Sequence, residues 1–273
     1  MLEEHRPIGV FDSGVGGLSV LRHVHALLPA ENLLYVADSA FMPYGSRCSD
    51  EINERGHLLT RFFVEQGAKA VVVACNTATA AAIETLRHDF TIPIIGMEPA
   101  VKPAVEATRT GVIGVLATSG TLASEKFSKL VARFDRHAEV VFQPGEGLVE
   151  QVEAGELSSK TTGELLRGHL APLLERGVDA LVLGCTHYPF LTPLIREIVG
   201  DDVVILDTGS AIAAELQRQL EKLQVMATEG VSEDASENRA GTIRFFTSGD
   251  VECVRPMISK LWGSAVEVES LKL

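Results

Sequence analysis

The sequence is most informative first for what it lacks. Four cysteines, at positions 48, 75, 185 and 253, contain no Cys-x-x-Cys pair, which excludes a disulfide scaffold and the common thiolate metal pair. Aromatic residues make up only 5 %, with a single tryptophan. Lys and Arg number 24 against 37 Asp and Glu, a formal charge of −13, so long-range repulsion opposes a phosphate backbone and no nucleic-acid partner is expected. No apolar run approaches the roughly 20 residues a membrane helix needs. Residues 1–9 (MLEEHRPIG) are polar and acidic where an export signal is basic and then apolar, so no membrane association and a cytoplasmic location are expected. What is present is ordinary globular composition, 46 % hydrophobic and 22 % charged, over 273 residues, which excludes disorder and collagen-like repeats.

Short apolar, β-branched runs alternate with helical patterns, which predicts an α/β fold with mostly parallel sheets covered by helices. Strands are expected at 8–11, 33–37, 70–74, 93–97, 112–116, 180–183, 203–206 and 243–246; nearly all are apolar on both faces, as strands covered on each side must be. Residues 50–66 place Leu58, Leu59, Phe62 and Phe63 on one stripe, with Ser49 as the expected N-cap and Gly67 at the end. Residues 226–241 hold almost no large apolar side chain and read as a mobile surface loop.

The chain also repeats itself. Ile8-Gly9-Val10-Phe11-Asp12-Ser13-Gly14 resembles Ile113-Gly114-Val115-Leu116-Ala117-Thr118-Ser119-Gly120, 105 residues later, and Val71-Val72-Val73-Ala74-Cys75-Asn76-Thr77 resembles Leu181-Val182-Leu183-Gly184-Cys185-Thr186-His187, 110 later. Two similar halves related by a pseudo-twofold axis, with the site in the cleft between them, are the expected architecture. Ligand crevices in open α/β sheets lie beyond the carboxyl ends of the strands, where Cys75 and Cys185 both fall. Each stands at or just before an expected helix N-terminus, where unpaired N–H groups favour thiolate, so both thiols are expected to move from about 8.5 toward neutrality.

A thiol from each half would reach one ligand from opposite sides. Inverting a carbon that bears one hydrogen needs a base on one face and an acid on the other, so a pair of thiols in opposite protonation states suits that reaction. Asp12, Ser13 and His187 flank the pair and suggest proton relay and the binding of ammonium or carboxylate. The glycine-rich Gly14-Val15-Gly16-Gly17-Leu18-Ser19 lacks the third glycine of the dinucleotide fingerprint, so a tight turn whose free N–H groups take a carboxylate is the better reading. Pro43-Tyr44-Gly45-Ser46 reads equally as a plain turn or a ligand contact, and Asn76, Thr77, Thr118, Ser119, Thr121 and Thr186 as helix caps or ligand contacts. None of these motifs carries Lys or Arg, so a small anion held by hydroxyls, amides and helix ends is the expected ligand.

Together, Phe11-Asp12-Ser13-Gly14-Val15-Gly16-Gly17, Pro43-Tyr44-Gly45, Ala74-Cys75-Asn76-Thr77-Ala78, Gly184-Cys185-Thr186-His187-Tyr188-Pro189 and Phe245-Phe246-Thr247-Ser248-Gly249-Asp250 give the whole chain a resemblance to the cofactor-independent glutamate racemases of the aspartate/glutamate racemase superfamily. The resemblance implies interconversion of L- and D-glutamate for peptidoglycan, no cofactor and no metal, and a homodimer. It makes Cys75 the base acting on the D-enantiomer and Cys185 the base acting on the L-enantiomer. Asp12 and His187 assist the thiols, and Asp12, Ser13, Tyr44, Gly45, Asn76, Thr77, Thr118, Thr186 and His187 contact substrate. A further acidic assistant aligns to Glu153, although Gly145-Glu146 stands where many relatives have Cys-Pro. It also implies a discontinuous first domain, 1–97 with 209–273, and a second, 98–208. The first strand begins near Pro7, so dependence on a cell-wall precursor through an N-terminal extension is not expected. Rival readings are a two-cysteine enzyme acting on aspartate, maleate or a hydantoin, and a noncatalytic two-domain binding module; a pyridoxal-phosphate racemase is disfavoured because no lysine sits in a strand-end motif.

Overall fold

The structure is a computed structural model that describes residues 5–134, 137–227 and 240–273. Most of the loop expected over 226–241 therefore lies outside the described residues. Ten strands are described: β1 (Ile8–Asp12), β2 (Leu33–Ala37), β3 (Ala70–Val73), β4 (Ile94–Ile95), β5 (Val112–Ala117), β6 (Glu139–Pro144), β7 (Ala180–Gly184), β8 (Val204–Leu206), β9 (Ile243–Thr247) and β10 (Val268–Ser270). They form a six-stranded sheet ordered β10-β9-β2-β1-β3-β4 and a four-stranded sheet ordered β6-β5-β7-β8. Every pairing is parallel.

The internal repeat is visible in register as well as in order. The run β2-β1-β3-β4 of one sheet corresponds to β6-β5-β7-β8 of the other. Gly9 pairs with Val71 in the first, and the equivalent Gly114 pairs with Leu181 in the second. Both glycines are forced by close packing of a covering element: a Cβ on Gly9 would lie 2.4 Å from the Phe63 ring, and one on Gly114 would lie 3.0 Å from Val178 Cγ1. β9 and β10, far along the chain, return to lengthen the first sheet only.

β1, β2, β3 and β7 are buried throughout, which is why they read as unbroken apolar runs. β6 and β10 escaped sequence reading for the opposite reason. β6 is a half-exposed edge with mixed side chains, and two of the three β10 residues are exposed. The helix expected from residue 50 runs Ser49–Glu65. Ser49 is its first helical residue rather than its cap; Cys48 takes the cap position without a side-chain bond, because Arg47 and Cys48 are still extended. Gly67, at φ +79°, closes the helix as expected. Among the described residues no helix is long and apolar enough to cross a membrane.

Candidate active site

The residues that follow β1, β3, β5 and β7 converge. Ser13, Cys75, Thr118 and Cys185 all border one cavity, together with Pro43, Tyr44, Gly45, Asn76, Thr77, Val149, Gly184, Thr186 and His187. Both cysteines are buried and free.

Cys75 caps the 14-residue helix Asn76–Asp89, and its Sγ accepts a hydrogen bond from Ala78 N at 3.5 Å. Ser13 Oγ is 3.9 Å from the same sulfur. Asp12 ends β1 with no exposed surface; its Oδ2 accepts from Gly17 N at 2.7 Å and from Thr186 Oγ1 at 3.1 Å, and its Oδ1 from Ser13 Oγ at 3.4 Å. Burial pushes the Asp12 carboxyl above the usual carboxylate range, opposed by the charge of His187, the Cys75 thiol and the backbone N–H groups of Ser13 and Gly17. The Cys75 thiol is also pushed well up, by burial first and by the Asp12 charge second. This corrects the expectation that the helix end draws it toward neutrality, since one N–H contact does not outweigh full desolvation beside a carboxylate.

Cys185 has a different setting. No α-helix starts at it: Thr186 and His187 lead into a short turn, Tyr188–Leu191, before the helix Thr192–Val199. His187 Nδ1 lies 3.7 Å from its Sγ. The other ring nitrogen, Nε2, lies 2.7 Å from Glu153 Oε1, which also accepts from Val15 N at 2.8 Å. Burial alone would lower the His187 pKa, but Cys185 and Glu153 outweigh it and hold it well above the ordinary imidazole value. Glu153 thus lies within the site's hydrogen-bond network.

The glycine-rich segment does take carboxylates, but they are the protein's own: Val15 N binds Glu153 and Gly17 N binds Asp12. Its glycines permit this approach, because a Cβ on Gly14 would lie 1.9 Å from Glu153 Oε1 and one on Gly16 would lie 2.3 Å from His187 Nδ1.

On the cavity wall, the amide of Asn76 is buried, and among the described residues neither its nitrogen nor its oxygen has a hydrogen-bond partner. Thr77 Oγ1 lies 3.0 Å from Thr118 Oγ1 and 3.2 Å from Thr121 Oγ1, joining the two repeats at the cavity edge. Thr118 also caps the turn Ser119–Leu122. Tyr44 and Gly45 belong to a short helical turn, Tyr44–Ser46, and the Tyr44 hydroxyl donates to Asp38 Oδ2 at 2.5 Å. No Lys or Arg borders the cavity. Sequence reasoning did not single out Val149 or Gly184 as site residues. Val149 was legible in principle, because it precedes Glu153 by four residues and so shares its helix face.

Two buried thiols from equivalent strand ends thus border one cavity, Cys75 beside Asp12 and Cys185 beside His187. The chain belongs to the Asp/Glu/Hydantoin racemase family, whose profile matches residues 8–216. It is 52 % identical to the glutamate racemase of Pseudomonas putida over the full length of both chains. Its fold matches the crystal structure of glutamate racemase isoform RacE1 from Bacillus anthracis with a TM-score of 0.88 and 33 % identity, covering 99 % of this chain and 98 % of that one. The Escherichia coli glutamate racemase, solved with L-glutamate and the activator UDP-MurNAc-Ala, matches at 0.82 and 32 % identity, covering 97 % and 98 %. The protein is an amino-acid racemase.

Proposed function

We propose that this racemase interconverts L- and D-glutamate by passing a proton at Cα between Cys75 and Cys185. The observation that carries the reading is that two buried sulfurs, at repeat-equivalent strand ends, border one cavity, one following a strand of each sheet. In each turnover a thiolate takes the proton as the Cα–H bond breaks on one face. The opposite thiol then gives its proton to the carbon, whose electron pair forms the new Cα–H bond. Atoms and charge balance without oxidation, and the reaction as drawn uses no cofactor. Cys75 is the base toward D-glutamate and Cys185 toward L-glutamate.

Asp12 receives or returns the proton on the Cys75 side, and its bond from Thr186 ties it across the cleft. His187, kept protonated by Cys185 and Glu153, offers a cation to a sulfur anion 3.7 Å away. Ser13, Tyr44, Gly45, Asn76, Thr77, Thr118 and Thr186 hold the substrate. Asn76 supports this most directly, since a buried amide with no protein partner is costly unless a ligand completes it. A dicarboxylate held by amides and hydroxyls fits a cavity without Lys or Arg, and the glutamate racemases named above match along the whole chain.

In this reading residues 1–97 with 209–273 form one domain and 98–208 the other, the subunit pairs as a homodimer, and the product supplies D-glutamate to peptidoglycan synthesis in the cytoplasm. The test is circular dichroism on a panel of D- and L-amino acids. Loss of optical activity fastest with glutamate, from either enantiomer, is expected. Turnover of aspartate or a hydantoin in preference to glutamate, or tight binding of glutamate without turnover, would replace this function with a rival one.

A further inference from the structure

Behind the wall formed by Tyr44 lies a charge cluster that borders no part of the cavity. Asp38 immediately follows β2 and has no exposed surface. Arg55, on the helix Ser49–Glu65, reaches it with a fork: Nε donates to Asp38 Oδ2 at 3.0 Å and an Nη donates to Oδ1 at 2.7 Å. The guanidinium stacks 3.8 Å over the Phe41 ring. The Tyr44 hydroxyl completes the set through its bond to Asp38 Oδ2. Asp38 is held in turn by its own backbone, whose N–H donates to the Asp12 carbonyl at 2.9 Å.

This cluster decides what Tyr44 can do. Its single hydroxyl proton is committed to Asp38, so Tyr44 meets the cavity through its ring and backbone rather than as a proton donor. The turn it begins has little room on its far side. A Cβ on Gly45 would lie 3.2 Å from Thr118 Cβ, and one on Gly120 would lie 2.9 Å from Gly45 O. The turn therefore fits between the Asp38–Arg55 pair and the strand-end loop of the second sheet, and a change in the pair is passed to the cavity wall.

We infer that Asp38 and Arg55 are positioning residues for the racemase: they fix the Tyr44–Ser46 turn, and with it the width of the substrate cavity, through the Tyr44 hydroxyl. This rests on the glutamate reading above. A fixed wall binds ground state and transition state alike, so loosening it raises KM and leaves kcat nearly unchanged. A lysine at 55 keeps the charge but cannot supply the planar fork.

The test is steady-state kinetics of Arg55→Lys and Tyr44→Phe in both directions, with the folded fraction of each variant fixed by circular dichroism and thermal melting. For Arg55→Lys we expect KM for D- and L-glutamate to rise together by about 10-fold with kcat within about twofold, and for Tyr44→Phe a smaller rise of the same kind. A purely structural role would lower the active fraction or the melting temperature with KM unchanged, and that result overturns the inference. So does a fall in kcat with KM constant. If Arg55→Lys does not fold, Tyr44→Phe decides, since it removes one bond and no charge. An inactive wild type on glutamate would fail the function itself; an active wild type with unmoved variants would fail only this inference.

Discussion

Cys75 and Cys185 occupy equivalent places in two repeats, yet their surroundings share almost nothing. Cys75 caps a long helix and faces Ser13 and the buried Asp12. Cys185 has no helix of its own and faces the imidazole of His187, itself bonded to Glu153. The sequence equivalents explain how: Asp12-Ser13 of one half corresponds to Ala117-Thr118 of the other, and Asn76-Thr77 to Thr186-His187. The scaffold was kept in duplicate while the assistants diverged. In the proposed mechanism a carboxylate serves one sulfur and a histidine–glutamate pair the other. An acid and a base that must exchange roles gain from this, because each environment sets its thiol separately.

The sharpest break of the comparison is removal of either sulfur. Cys75→Ser and Cys185→Ser are each expected to depress racemisation in both directions by about 10²–10⁴-fold or more, because every turnover needs one acid and one base. Full activity of either variant, measured by circular dichroism from both enantiomers, would refute a paired mechanism.

The assistants come next. Asp12→Asn and His187→Gln are expected to lower kcat by about 10²-fold each. Their primary isotope effects with Cα-deuterated substrate should differ by direction, Asp12→Asn raising the effect for the enantiomer handled by Cys75. Equal isotope effects in both directions for both variants would mean that the two sides are not separately assisted.

Glu153 sharpens the comparison through pH. His187 binds its proton more tightly in the folded protein, with Glu153 as one cause. The stabilisation from that proton is fully present below the ordinary value of about 6.5 and is lost as pH rises through the native value. Glu153→Gln removes one contribution that raises it, so the alkaline limb of the rate profile should move to lower pH. A limb that stays in place would separate Glu153 from His187.

The smallest effect serves as a control in the second half. Burial would raise Asp179, but bonds from Thr108 Oγ1, the Arg109 N–H and Thr110 prevail and bring it down to about 2. Its stabilising contribution is present above the ordinary value near 3.9 and is lost as pH falls toward 2. Asp179→Asn should cost about 1–3 kcal/mol in urea unfolding at neutral pH and leave KM unchanged.

How much of this could be read from residues alone follows burial. The doubly covered strands and both cysteine loops were legible because an apolar run ending in small polar residues marks a strand end whatever surrounds it. The edge strands β6 and β10 were not, since half-exposed edges accept almost any side chain. Most residues that border the cavity were legible, but not who bonds to whom. That Val15 N is filled by Glu153, or that burial defeats the helix end at Cys75, depends on contact between segments over a hundred residues apart or on depth within the fold. Asp38 and Arg55 went unnoticed because neither lies in a glycine-rich or cysteine motif; only the folded chain brings them under Tyr44.

The central claim is that two sulfurs act on opposite faces of one carbon. Racemisation in deuterated water, stopped at low conversion and analysed by chiral mass spectrometry, tests it directly. With two bases, L-glutamate should give D-glutamate that carries deuterium at Cα while the remaining L-glutamate stays unlabelled, and the reverse should hold from D-glutamate. Deuterium entering the starting enantiomer as fast as the product would mean that a single group serves both faces, contradicting the account.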